Sequence, residues 1–158
     1  MQQMRSELER NKTMEKIIQL ILVIWLLVLS WQDIRKKEVS VVVLLLGAAI
    51  ALASVGAAIG MKFEVGIWLS KGFGMLFGIT LMLLSKTSKG GIGMGDAIVL
   101  TITGIVFGFW DNLCLFFYSL VISAVYAGIL LVMKKIHKKQ SIAFLPFIVV
   151  GTLGVMFT

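Results

Sequence analysis

The chain has 158 residues, of which 59% are hydrophobic and only 15% charged, with a mean hydropathy of +1.00 and a formal charge of +7. Soluble domains carry about 25% charged residues, so this composition excludes an ordinary soluble fold and makes the bilayer the solvent for most of the chain. The basic surplus does not point to nucleic acid, because the cations stand in short clusters between apolar runs, as membrane topology requires.

In chain order, residues 1–16 (MQQMRSELERNKTMEK) form a polar N-terminal tail, and residues 17–158 are one membrane domain. The tail either extends the first helix outward or stays disordered; the sequence does not choose. Six apolar runs follow: Ile17–Gln32, Val39–Met61, Val65–Leu84, Ala97–Trp110, Leu113–Met133 and Ile142–Phe157. In lipid their backbone groups must pair internally, which predicts helices. Membrane strands would alternate polar and apolar residues, and these do not. The expected fold is therefore an all-α membrane protein of six transmembrane helices. The first run ends in Trp31-Gln32-Asp33 rather than in small residues, which argues against a removable signal peptide.

Within the runs, the GxxxG pairs Gly56/Gly60, Gly74/Gly78 and Gly104/Gly108 predict close helix packing. Lys71, in the outer half of the third run, is expected to snorkel toward the outer surface. Pro146 removes one helix bond and frees the carbonyl of Ile142, which either shapes a site or kinks the last helix. His137 lies among four lysines and reads as a solvated loop residue. The single cysteine, Cys114, permits neither a disulfide framework nor a CxxC metal site, and no metal or other cofactor is expected.

The loops alternate in charge. DIRKKE, SKTSKGG and KKIHKKQ are basic, while MKFE and WDN hold one lysine between them. The positive-inside rule puts the three basic loops in the cytoplasm and both termini outside the cell membrane. Anionic lipid is the natural partner of such loops.

Two acids then stand apart from the tail and turn residues. Asp33 ends the first run and Asp96 begins the fourth, both on the cytoplasmic side. Fourteen residues separate Asp96 from Asp111, about 21 Å of helix, against a hydrocarbon core of roughly 30 Å. Asp96 is thus expected about 9 Å below the inner surface, with Asp33 less deep. An ionisable group so placed is a functional-site candidate, although an aspartate at a helix start is also an ordinary N-cap.

Ahead of Asp96 runs SKGGIGMGD, with glycines at 90, 91, 93 and 95. Glycine admits positive φ and lets another backbone approach closely. A loop of this kind can pair with an extended substrate strand or dip into the bilayer as a re-entrant turn before the fourth helix.

Gly93-Met94-Gly95-Asp96 is a GxGD signature, and SWQDIRKKEVS presents a second aspartate followed by arginine, a basic stretch and an aliphatic residue. Together with Pro146 and Phe147 in IAFLPFIVVG, these segments resemble the type IV prepilin peptidases. The sequence departs from that family's usual pattern at Ser40, Ile98 and Ala143. The resemblance implies an aspartic endopeptidase with Asp33 and Asp96 as its catalytic pair, and Gly93 and Gly95 shaping the site. It implies a prepilin-like protein substrate, as in type IV pilus assembly or protein secretion, whose short basic leader is cut at the cytoplasmic face. Glu38 is the acid placed to meet that leader. Longer members carry a cytosolic domain with paired CxxC motifs linked to N-methylation, so peptidase activity without methylation is expected here.

Two such carboxyls share a proton, one drawing a proton from water as the other polarises the scissile carbonyl. Asp96 begins a helix and Asp33 ends one, so the dipole favours Asp96 as the resting base and Asp33 as the resting acid. Two other readings stay open on the residues alone: a proton- or ion-coupled small transporter, and a non-catalytic assembly partner that retains the fold.

Overall fold

The computed structural model describes residues 2–36, 40–59, 65–87, 93–133 and 143–157, and every regular element among them is helical. Helix α1 spans Gln2–Lys36, α2 Val41–Ile59, α3 Val65–Thr87, α4 Met94–Phe107, α5 Phe109–Val132 and α6 Leu145–Met156. Four of them, α1 (over Thr13–Arg35), α2, α3 and α5, are long and apolar enough to cross a membrane. Helices α4 and α6 have 14 and 12 residues, about 21 and 18 Å, and fall short of the hydrocarbon thickness of roughly 30 Å. Six apolar runs thus give six helices, four of spanning length. The polar tail continues α1 without a break. Residues 88–92, where the re-entrant turn was expected, lie outside the described residues.

Short helices persist in an apolar setting when protein rather than lipid surrounds them. Half of α4 is buried: Ala97, Val99, Leu100, Ile102, Thr103, Gly104 and Val106. Around it, Leu22, Leu26 and Leu29 of α1, Leu115 of α5, and Leu145 and Ile148 of α6 close the core. The long helices turn Leu45, Leu52, Leu76, Leu83, Val121 and Val125 outward, as suits segments solvated by acyl chains.

Helix α3 packs most extensively on α4, and glycine is the reason. A Cβ on Gly74 would strike the Gly104 carbonyl, and one on Gly104 would strike that of Gly74. Backbones at this range gain dispersion contact that larger residues forbid. The GxxxG reading fails at Gly56, which faces open space; Gly60 lies outside the described residues. Gly108 serves the turn instead. Its φ of +86°, which side-chain-bearing residues rarely adopt, ends α4 and starts α5 one residue later. The expected WDN turn is therefore the first turn of α5, with Asp111 exposed on it and Asn112 fully buried.

Asn112 ties the two helices together. Its amide donates to the Leu100 carbonyl at 3.1 Å and its Oδ1 accepts from the Thr103 hydroxyl at 2.7 Å. Lys71 is a correction to the sequence reading. Instead of snorkelling, its Nζ turns inward and donates to the carbonyls of Ile105 at 3.0 Å and Val106 at 3.3 Å, and to Ser54 Oγ at 3.5 Å. At the α1–α2 contact, Trp25 Nε1 donates to the Val43 carbonyl at 2.6 Å.

Candidate active site

On α1 the buried residues Leu22, Leu26 and Leu29 recur at spacings of four and three, the inward stripe of a helix. Asp33, four residues past Leu29, continues that stripe and is half-buried. Packing rather than local chemistry therefore aims its carboxylate inward. The neighbouring cation does not join it: the Arg35 guanidinium lies 4.6 Å from the centroid of the exposed Trp31 ring, a cation–π arrangement.

The start of α6 meets Asp33. Pro146 stands in the first turn of α6 rather than inside a longer helix, where its fixed φ suits the turn and its missing N–H is no loss. Ile142, whose carbonyl Pro146 was expected to free, lies outside the described residues. Phe147 N–H is taken by the Phe144 carbonyl at 3.0 Å. Leu145 N–H is left to donate to Asp33 Oδ2 at 3.4 Å. Asp33 thus supplies an acceptor to a helix N-terminus across 112 positions of sequence.

Asp96 is the third residue of α4, in its first turn, with Gly93 as the N-cap. Gly93 has φ −64° and ψ 127°, a conformation open to any residue, so positive φ is not why glycine stands there. Proximity is: a Cβ would lie 2.7 Å from Asp96 Oδ2. The carboxylate folds back over the place where a side chain would be. Gly95 occupies the same first turn. Asp96 is half-buried, and the Asp33 carboxylate lies within its electrostatic reach.

The structure therefore brings Asp33 of α1, Asp96 with Gly93 of α4, and the Pro146 turn of α6 to one end of the helical assembly. Glu38 lies outside the described residues. Ser40 starts α2, its carbonyl accepting from Val43 and Leu44 N–H, both at 3.1 Å. Among the described residues no three His, Cys, Asp or Glu side chains converge as a metal site would require. The contributor that sequence reasoning missed is the Leu145 backbone N–H. A main-chain donor leaves no residue-type signal; the nearest clue was Pro146, whose preference for a first helical turn marks where α6 starts.

A helical, predominantly apolar chain with four helices of membrane-spanning length, a carboxyl near the end of its first helix and another in the first turn of its fourth defines the class: a helical membrane protein with two acids at the ends of apolar helices. The sequence profile of the type IV leader peptidase family matches residues 20–128, and the chain belongs to that family. The matched stretch contains both Asp33 and Asp96. Over 80 residues the chain is 30% identical to a prepilin leader peptidase/N-methyltransferase of Bacillus subtilis (strain 168), a match that takes in 51% of this chain and 31% of the relative. No solved structure matches the chain.

Proposed function

We propose that the protein is a membrane aspartic endopeptidase that removes the short leader of type IV prepilin-like proteins at the cytoplasmic face, with Asp33 and Asp96 as its catalytic pair. The reading is supported by two half-buried carboxyls, one near the end of α1 and one in the first turn of α4, that lie within electrostatic reach of each other, in a chain of the leader peptidase family.

In the proposed reaction, the ionised carboxylate takes a proton from water as the oxygen attacks the scissile carbonyl carbon. The protonated partner gives its proton to the carbonyl oxygen. The tetrahedral diol then collapses: one hydroxyl returns its proton to the partner carboxylate as the C=O re-forms, the C–N bond breaks, and the leaving amine takes the proton held by the base. No covalent enzyme intermediate forms. Asp33 accepts the Leu145 N–H at the start of α6, a contact that orients its carboxyl toward its partner, and the two carboxyls titrate as one coupled pair.

The substrate presents its cleavage site beside the carboxyl pair while its hydrophobic segment stays in the lipid against the exposed faces of the long helices. Hydrolysis without N-methylation is proposed, since Cys114, exposed on α5, has no second cysteine in this sequence with which to form a CxxC pair. Basic residues of the loops hold the assembly to anionic lipid.

The test is reconstitution in vesicles with a leader-bearing pilin-like substrate, comparing Asp33→Asn, Asp96→Asn and the double variant. Either single change lowers cleavage by about a thousandfold or more, and the double variant is scarcely worse, as for groups that act as one unit. Undiminished cleavage by either single variant overturns the assignment.

A further inference from the structure

We propose that Ser70 and Lys71, adjacent on α3, form a clamp that fixes the position of α4 along its axis and so the position of Asp96 relative to Asp33. The proposal rests on the peptidase reading for its catalytic consequence, and on the contacts at Gly108 for its geometry.

A helix leaves its last carbonyls and first N–H groups without internal partners, and away from water each such group is costly. The chain passes from α4 to α5 through Gly108 alone, so orphans of both kinds crowd one spot. Lys71 Nζ donates to the carbonyls of Ile105 and Val106 in the last turn of α4, where a cation also meets the negative end of the helix dipole. Ser70 Oγ accepts Phe109 N–H, the first of α5, at 3.1 Å. Two consecutive residues of α3 thus serve the two sides of the turn.

The clamp reaches further than α3. Ser54 of α2 donates to the same Ile105 carbonyl at 3.4 Å and accepts from Lys71. A small cavity beside Lys71 is lined by Glu15, Ile18 and Gln19 of α1, and the Glu15 carboxylate lies within electrostatic reach of the ammonium. Helix α1 carries Asp33 at its opposite end. The same four helices that hold Lys71 therefore carry, directly or through contact, both members of the carboxyl pair.

Transmission follows from stiffness. Ile105 lies nine positions after Asp96, about 14 Å along the hydrogen-bonded helix, and the Gly74–Gly104 contact keeps it against α3. A shift where Lys71 grips α4 reaches Asp96 with little loss. Since misplacing a reacting group by about 1 Å costs up to about a hundredfold in rate, Ser70 and Lys71 are positioning residues.

The test uses Lys71→Met, Lys71→Arg and Ser70→Ala in vesicles, with two readouts. The first is bilayer depth of a nitroxide at Met94→Cys in a Cys114→Ser background, measured by collision with oxygen and a water-soluble nickel chelate. The second, in unlabelled protein, is the pH profile of kcat and KM on a leader-bearing substrate. Lys71→Met is expected to move the label, shift the pH profile and lower kcat by about tenfold with little change in KM. Lys71→Arg keeps the parent's depth and profile, and Ser70→Ala moves both in the same sense by less. A folded Lys71→Met with unchanged depth and profile overturns the clamp. If Lys71→Met does not fold, unchanged readouts in Ser70→Ala overturn it and shifted ones support it. The depth readout needs no cleavage, so an inactive parent defeats the peptidase reading while the label still decides the clamp.

Discussion

Replacing Gly93 with alanine adds a methyl where the Asp96 carboxylate now rests. The added Cβ would stand 2.7 Å from Oδ2, and ordinary contact begins at 3.4 Å, so the oxygen must retreat by about 0.7 Å. The backbone at Gly93, φ −64° and ψ 127°, accepts alanine without strain. The obstructed atom is the end of a flexible side chain, so folding stability falls by no more than about 1 kcal/mol, the scale of an N-cap change. Catalysis is less forgiving. With about a hundredfold lost per ångström of misplacement, a shift of about 0.7 Å lowers kcat by between tenfold and a hundredfold, with KM little changed. The assay is cleavage of a leader-bearing substrate in vesicles, alongside thermal unfolding in detergent. Gly56→Ala is the control, because nothing lies within 4 Å of its added methyl. If Gly93→Ala folds and cleaves within twofold of the parent, the closeness of Asp96 to Gly93 does not govern the reaction.

Three further substitutions test the packing that supports the site. Gly74→Ala drives a methyl into the Gly104 carbonyl, where backbone must move, and costs about 1–3 kcal/mol; the unfolding temperature in detergent falls accordingly. Asn112→Ala strips partners from the Leu100 carbonyl and the Thr103 hydroxyl and costs about 1–2 kcal/mol in an apolar setting, measured by titration with a denaturing detergent. Trp25→Phe keeps most of the ring but removes the donor to the Val43 carbonyl; it costs about 0.5–1.5 kcal/mol and ranks below the other two in the same titration.

The parts of this molecule governed by hydrophobic runs were legible in the sequence. Helices α2 and α3 lie close to their apolar segments because lipid leaves an apolar run no other backbone state. Gly74 and Gly104 announced a close helix contact through their spacing, and the contact exists. Gly56 carries the same spacing and packs against nothing, because spacing describes one helix and a contact needs two. Lys71 was misread for a similar reason: depth alone suggests an outward path, whereas the last-turn carbonyls of α4 offered an inward one. The WDN segment reads as a turn by polarity, yet one glycine at positive φ made the turn and left Asn112 to be buried as a tie between helices. At the candidate site the two aspartates stood out as acids at the ends of apolar runs. The backbone donor that meets Asp33 did not, since only the folded chain brings Leu145 to it.

The junction at Gly108 also decides where this chain tolerates changes of length. Inserting one residue after Gly108 would turn α5 by about 100° and bring Asp111 to the place of Asn112, setting a carboxylate against the Leu100 carbonyl where the Asn112 amide had donated to it. Deleting one would bring Leu113 there and remove the side chain that pairs with both the Leu100 carbonyl and the Thr103 hydroxyl, leaving them only their bond to each other at 3.2 Å. Substitution can be absorbed along much of the lipid-facing surface, but insertion or deletion at this point changes which face of an entire helix meets the core.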